Sequence, residues 1–159
     1  MQIETKIIFL DIDGVLNVYP QGRDEFGSIF HQHFIDNLKH IIEQTGAKLV
    51  ISSTWRHSGF QYINDMWEFR KLPGDVIGRT PDLYDPSTGS IERGYEIQRY
   101  IDLFDVKTYC IIDDDADMLE SQMNNFVQTS ENQDHPDCVD IGYGLTKICA
   151  EKVVTILNR

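Results

Sequence analysis

The sequence predicts an α/β protein with an open, mostly parallel sheet between helical layers. Three observations lead there. Continuously apolar runs recur at Lys6-Ile7-Ile8-Phe9-Leu10, Lys48-Leu49-Val50-Ile51 and Thr108-Tyr109-Cys110-Ile111-Ile112, and unbroken apolar strands are those buried on both faces, as parallel strands are. Segments of helical periodicity lie between the runs. The connections are short, so the order is a repeated strand–helix–strand.

Taken in order, the first strand ends at Asp11 and the chain must turn sharply at Gly14. A polar stretch, Asn17 to His31, follows. Phe34, Ile35, Leu38, Ile41 and Ile42 then recur at helical spacing, which predicts a helix over 32–45 capped by Gly46. His31 and His33, near its start, read as surface or capping residues rather than ligands. The second buried strand runs from Lys48 into the hydroxyls Ser52 and Ser53; adjacent strand residues point to opposite faces, so Ser52 reads as a core hydroxyl and Ser53 as the outward one. Phe60, Ile63, Trp67 and Arg70 mark a further helix that stops before Pro73-Gly74. Proline and glycine make Val76 to Ser90 a loop with at most short strands. A helix opening near Glu92-Arg93-Gly94 carries Ile97, Tyr100, Ile101 and Phe104, and leads to the third buried strand, which ends in Asp113-Asp114-Asp115. Phe126 to Thr129 reads as a fourth strand and Ser130 to Asp140 as a polar loop. Leu145, Ile148, Cys149, Val153, Ile156 and Leu157 give a closing amphipathic helix.

At 159 residues the chain has room for one domain, residues 1–159, with a core that needs no staples. Its 41% hydrophobic and 25% charged residues are those of a soluble globular protein, and no apolar run is long enough to span a bilayer. The amino terminus lacks the basic region and apolar stretch of a signal peptide, which predicts a cytoplasmic location and no membrane partner. Cys110, Cys138 and Cys149 show no paired spacing, so they read as reduced, mostly buried thiols. A net charge of −12 argues against tight nonspecific nucleic-acid binding. A local rim of Arg23, Arg56, Arg93 and Lys147 leaves room for one phosphate.

Parallel strands bring three polar strand ends to one edge: Asp11 with Asp13, Ser53 with Thr54, and Asp113 with Asp114. Open α/β sheets place their ligands at that edge. Hydrolysis of a phosphate ester needs charge neutralisation, an aligned nucleophile and a proton donor, and each has a candidate. Asp11 is placed to attack phosphorus and Asp13 to protonate the leaving oxygen and then activate water. Asp113 and Asp114 complete an oxygen-rich site for Mg²⁺. Ser53 and the amide of Thr54 offer donors to a phosphoryl oxygen. Arg93 supplies the cation for the developing charge, with Arg56 in reserve; Arg56 also reads as structural, and both readings stay open. The acidic residues not on the metal, among Asp113, Asp114, Asp115 and Asp117, are expected as caps or supporting hydrogen-bond partners. Trp55 reads as packing, with stacking on a base as the alternative.

The sequence resembles the haloacid dehalogenase (HAD) superfamily of aspartate-nucleophile phosphatases. The likeness rests on an apolar strand followed by Asp-x-Asp-Gly (Ile7 to Val15), a strand ending in Ser or Thr (Leu49 to Ser53), a basic residue opening a helix (Arg93) and a strand ending in an acidic pair (Ile111 to Asp114). It implies a Rossmann-like, three-layer αβα fold. It also implies that Asp11 is the nucleophile, that Asp13 is the acid/base whose backbone carbonyl meets Mg²⁺, and that Asp114 or Asp113 is the remaining metal ligand. Asp-Ile-Asp-Gly-Val-Leu-Asn, Ser-Ser-Thr-Trp-Arg, Arg-Gly-x-Glu-Ile and Asp-Asp-Asp, followed by Gly144-Leu145-Thr146, are most similar to the HAD domains of bacterial "Swiss army knife" RNA-repair proteins, which carry partner kinase or ligase domains.

Members of the superfamily often insert a cap after the first motif or between the second and third. Both intervals are short here, which predicts a minimal cap and an open site. The expected substrate is therefore a nucleotide or a nucleic-acid terminal phosphate. A protein phosphatase, a phosphotransferase, and a non-catalytic module that binds metal or phosphorylated partners are the alternatives. A receiver domain fits less well, because its phosphorylated aspartate follows an early acidic pair.

Overall fold

A computed structural model describes residues 4–129 and 144–159. Five parallel strands form the sheet: β1 (Lys6–Leu10), β4 (Lys48–Ile51), β5 (Val76–Arg79), β8 (Thr108–Asp113) and β9 (Phe126–Gln128). Their spatial order is β5-β4-β1-β8-β9, every neighbouring pair parallel. Two short hairpins interrupt the pattern, β2 (Arg23–Asp24) with β3 (Gly27–Ser28) and β6 (Tyr84–Asp85) with β7 (Gly89–Ser90). The helices are α1 (Gln32–Thr45), α2 (Phe60–Phe69), α3 (Arg93–Phe104) and α4 (Lys147–Leu157). No helix among the described residues is long and apolar enough to cross a membrane.

The alternation of β1 side chains divides the core in two. Ile8 and Leu10 join Leu49, Ile51, Cys110 and Ile112 against α1, α2 and α4, whereas Ile7 and Phe9 join Val50, Ile111, Ile97 and Tyr100 against α3. Strands buried on both sides have no polar face to alternate, which is why their sequence is continuously apolar. Cys110 and Cys149 are buried thiols, and burial pushes the Cys110 thiol well above the usual range.

β1 is central, with β4 on one side and β8 on the other. The chain reverses its direction of winding there, and a crevice opens at the carboxyl ends of β1 and β8. Pairing of Leu10 with both Ile51 and Ile112 brings the residues that follow each strand level with one another. Asp11 N–H donates to the Ile112 carbonyl at 3.0 Å, and Ser52 N–H to the Leu10 carbonyl at 2.9 Å.

Several elements differ from the sequence expectation. β4 stops at Ile51, and Ser53 instead caps a short 3₁₀ turn, Thr54–Ser58, accepting from Trp55 N–H at 3.2 Å. The short strands allowed for in 76–90 are present, but the first of them, β5, joins the main sheet as its edge strand. Gly78, which reads as a breaker, leaves room for the ring of Tyr100, since a Cβ there would lie 2.8 Å from the Tyr100 hydroxyl and force it to shift. The stretch before α1 forms the β2–β3 hairpin. His31 sits at the N-cap position of α1, one of its two expected places, but it is buried rather than on the surface and its side chain does not cap; its ring accepts from Tyr19 N–H at 3.4 Å and burial lowers its pKa. His33 is exposed and Ser52 fully buried, as expected. The polar loop expected over 130–140, with Cys138, lies outside the described residues.

Candidate active site

The first strand delivers Asp11 to the crevice and the chain then folds back on itself. Val15, Leu16 and Asn17 N–H all turn toward the Ile12 carbonyl, and Gly14 N–H donates to the Asn17 carbonyl at 2.8 Å. Gly14 adopts φ +82°, and its bare Cα is the floor against which Asp114 rests: a Cβ there would stand 2.3 Å from the Asp114 carboxyl carbon. Glycine is thus required for both backbone shape and close approach. Thr129 Oγ1 donates to the Gly14 carbonyl at 2.8 Å, Leu145 N–H to the Val15 carbonyl at 2.9 Å, and Gln128 Nε2 to the Asp114 carbonyl at 3.1 Å. The turn is held from β9 and from the approach to α4.

Asp11 is 6% exposed and Asp113 fully buried; with the partly buried Asp114 they offer carboxylate oxygens all within 4.8 Å of one another. Arg93 Nη1 bridges two of the three, 3.2 Å from Asp11 Oδ1 and 2.8 Å from Asp113 Oδ2. Burial foremost, then the Asp113 charge, pushes the Asp11 pKa up to about 9 against the opposing pull of Arg93. Burial likewise raises Asp113, to about 6, although Arg93 and the Asp115 N–H at 2.9 Å both favour its ionised form. For Arg93, burial disfavours the charge but Asp113 and Asp11 outweigh it, and its pKa rises. Three carboxyl groups gathered around Arg93 in a buried place are an excess of acidic groups that disfavours their ionisation. A hard divalent cation answers that excess, and the all-oxygen donor set together with the glycine-floored seat of Asp114 fits Mg²⁺. The Asp13 carboxylate is not in the three-residue group.

Arg93 reaches the cluster because the loop after β8 grips the start of α3. Asp117 Oδ2 accepts Arg93 N–H at 3.1 Å, and the Asp117 carbonyl accepts Gly94 N–H at 3.0 Å. Gln122 Nε2 donates to the Gly94 carbonyl at 2.9 Å, and a Cβ on Gly94 would meet Leu119 N at 2.7 Å. Asp117 therefore caps the helix before it in sequence, α3, rather than one that follows.

Asp13, exposed, holds its carboxylate between two donors: Asn17 Nδ2 to Oδ1 and Trp55 Nε1 to Oδ2, each at 3.1 Å. Ser53 is buried at the end of β4, and Thr54 is exposed as the first residue of the 3₁₀ turn. Arg56 lies elsewhere. Its guanidinium is buried, with Nη1 on the Ser53 carbonyl at 2.9 Å and Nη2 on both Glu96 oxygens at 3.0 and 2.9 Å. Glu96 also accepts Leu83 N–H at 2.9 Å. Of the two readings left open for Arg56, these contacts favour the structural one. Glu96 stands within Arg-Gly-x-Glu-Ile with no role evident from that motif; its position one turn after Arg93, on the buried face with Ile97 and Tyr100, is the signal that points to it.

Beside the cluster, Asp13, Asn17, Tyr19, Ser28 and Asp114 line a cavity of about 310 Å³. A larger one, about 740 Å³, lies between the β6–β7 hairpin and α3 along Tyr95 and Arg99 and touches none of the acidic cluster.

A family model for the HAD domain in Swiss Army Knife RNA repair proteins matches residues 7–133. A solved HAD superfamily hydrolase of subfamily III A from Legionella pneumophila is similar in fold, with a TM-score of 0.50 at 15% identity over 98% of this chain and 84% of that one. No curated protein matches the chain.

Proposed function

Because the chain belongs to the family of HAD domains in Swiss Army Knife RNA repair proteins, we propose that it is a Mg²⁺-dependent phosphomonoesterase that works through an aspartyl-phosphate on Asp11. The observation that carries this reading is the buried group Asp11, Asp113 and Asp114, all within 4.8 Å, with Arg93 across two of its members. Mg²⁺ held by these carboxylates, with the Asp13 carbonyl as the expected further ligand, would neutralise the site and let an anionic substrate approach a carboxylate nucleophile.

Asp11 Oδ attacks phosphorus as the bond to the leaving oxygen breaks, and Asp13 gives that oxygen its proton. In the second half Asp13 takes a proton from water, whose oxygen attacks phosphorus; the bond to Asp11 breaks and inorganic phosphate leaves. Arg93 holds Asp11 in line and meets the charge that develops on the phosphoryl oxygens. Ser53 and the Thr54 amide bind a phosphoryl oxygen from the β4 side. The leaving group occupies the cavity walled by Asn17, Tyr19 and Ser28.

The hairpin insertions are too short to enclose a small substrate, and the family's association with RNA repair supports a nucleotide or a nucleic-acid end as substrate. The net charge of −12 favours a single terminal phosphate over contacts along a polyanion. Phosphate release by the purified protein, measured with Mg²⁺ and with EDTA, tests the reading on p-nitrophenyl phosphate, mononucleotides, phosphopeptides and end-phosphorylated oligonucleotides. Release that requires Mg²⁺ and is fastest on nucleotides or oligonucleotide ends is the expected result. Silence on every substrate overturns it in favour of a binding module.

A further inference from the structure

We infer that Trp55 is a positioning residue for the general acid/base, fixing the plane of the Asp13 carboxylate through its indole N–H. This inference rests on the role proposed for Asp13. Asp13 is exposed, and an exposed aspartate on a turn is free to rotate unless something holds it. Two groups do. Trp55 Nε1 donates to Oδ2 and Asn17 Nδ2 donates to Oδ1, both at 3.1 Å. Each carboxylate oxygen has two lone pairs, so one on each remains for a proton or a water. An indole and an amide are neutral and do not titrate in this range. They hold the carboxyl in one plane whether or not it carries the proton it must give and regain.

The indole is itself seated firmly. Phe30 meets it edge-on at a centroid distance of 5.4 Å, and its outer edge lies against Gly27 of the β2–β3 hairpin. That hairpin is tied to α2 by Arg70, whose Nε and Nη2 hold Asp24 at 2.8 and 2.6 Å, with Nη2 also 3.2 Å from the Gly27 carbonyl. Tyr62 Oη donates to the Phe26 carbonyl at 2.8 Å from the same helix. At its backbone, Trp55 N–H donates to Ser53 Oγ. One residue therefore joins the β4 end of the site, the hairpin and the acid/base. Packing and stacking on a base, the roles its sequence position offers, leave the N–H unexplained.

The test compares kcat/KM for wild type, Trp55→Phe, Asn17→Ala and Asp13→Asn across aryl and alkyl phosphates of increasing leaving-group pKa. A poor leaving group needs its proton and p-nitrophenolate does not, so loss of acid positioning tilts the series where general damage lowers it uniformly. Trp55→Phe keeps the ring against Phe30 and removes only the donor. It is expected to lose about ten-fold on alkyl phosphates and less than about two-fold on p-nitrophenyl phosphate, a fraction of the ~10²–10⁴ that general acid catalysis supplies. Asn17→Ala tilts the series the same way and stands in should the Trp55 variant fail to fold. A tilted Asp13→Asn series beside flat Trp55→Phe and Asn17→Ala series overturns the positioning role alone. A flat Asp13→Asn series removes the acid role of Asp13, and the Trp55 assignment with it.

Discussion

Two clusters of buried charge flank the end of β4, and they are built to opposite ends. Arg56 and Glu96 make a balanced buried pair: two Glu96 oxygens meet the guanidinium, Leu83 N–H takes up further acceptor capacity, and the Ser53 carbonyl takes Nη1, while the exposed Asp82 carboxylate stands off at 3.9 Å from Nη2. Asp11, Asp113 and Asp114 face one guanidinium between them, and two of the three are pushed upward in pKa. A balanced pair fixes geometry, here the position of the loop that carries Ser53. A cluster of acidic groups that burial pushes up in pKa is one that a cation, not an anionic substrate, would stabilise. The difference separates scaffold from site more sharply than burial, which the two share.

The largest effect should come from Asp11→Asn. Phosphate release is expected to fall by at least about 10³-fold, since the residual carboxamide is no nucleophile. Thermal unfolding without metal should show the variant no less stable than wild type, because burial and Asp113 already disfavour a charge at this position and the carboxamide carries none; a clear loss of stability would make Asp11 a structural residue like Glu96. Glu96→Ala reverses the pattern. It strands a buried guanidinium and is expected to cost about 3–5 kcal/mol in denaturant unfolding, with replacement of both partners by Met and Leu recovering part of it.

Gly14 sharpens the contrast within one kind of residue. Gly14→Ala forces a Cβ into the Asp114 carboxyl and is expected to weaken Mg²⁺ affinity by about ten-fold or more, read by titration calorimetry. Gly46→Ala, at φ +68° with open space around it, should cost about 1–2 kcal/mol of stability and leave Mg²⁺ affinity alone.

The smallest effect is in the pH dependence. Asp11 and Asp113 hold protons more tightly in the folded protein than at their ordinary value of 3.8. The cluster's contribution to stability is therefore fully present below that value and is lost as pH rises through about 6 and then about 9. Mg²⁺ binds the deprotonated carboxylates, so the rise in Tm it produces should be larger near pH ~8 than near pH ~5.5. An equal rise at both would place the cation elsewhere.

The sheet and three of its strand ends were legible because a strand buried on both faces has no choice but apolar residues, and because Asp-x-Asp-Gly and Asp-Asp-Asp stand at the ends of two such strands. What connects them was not. Arg56 and Glu96 are 40 residues apart, and nothing in either segment announces the other. Asp117 caps a helix that begins 24 residues before it, and a local rule for caps looks only forward. β5 was hidden by Gly78, whose reason is a hydroxyl on α3. The Trp55 N–H finds its acceptor 42 residues upstream.

In the proposed reaction a phosphoryl group passes through Asp11, and the most direct measurement is borohydride reduction of Asp13→Asn during turnover of p-nitrophenyl phosphate with Mg²⁺. That substrate needs no proton to leave, whereas hydrolysis of the intermediate has lost its base, so the acyl phosphate should accumulate. The expected result is homoserine at position 11 in the peptide map, absent with EDTA. Nitrophenol release with no reduced residue at position 11, or with reduction at another aspartate, would contradict it.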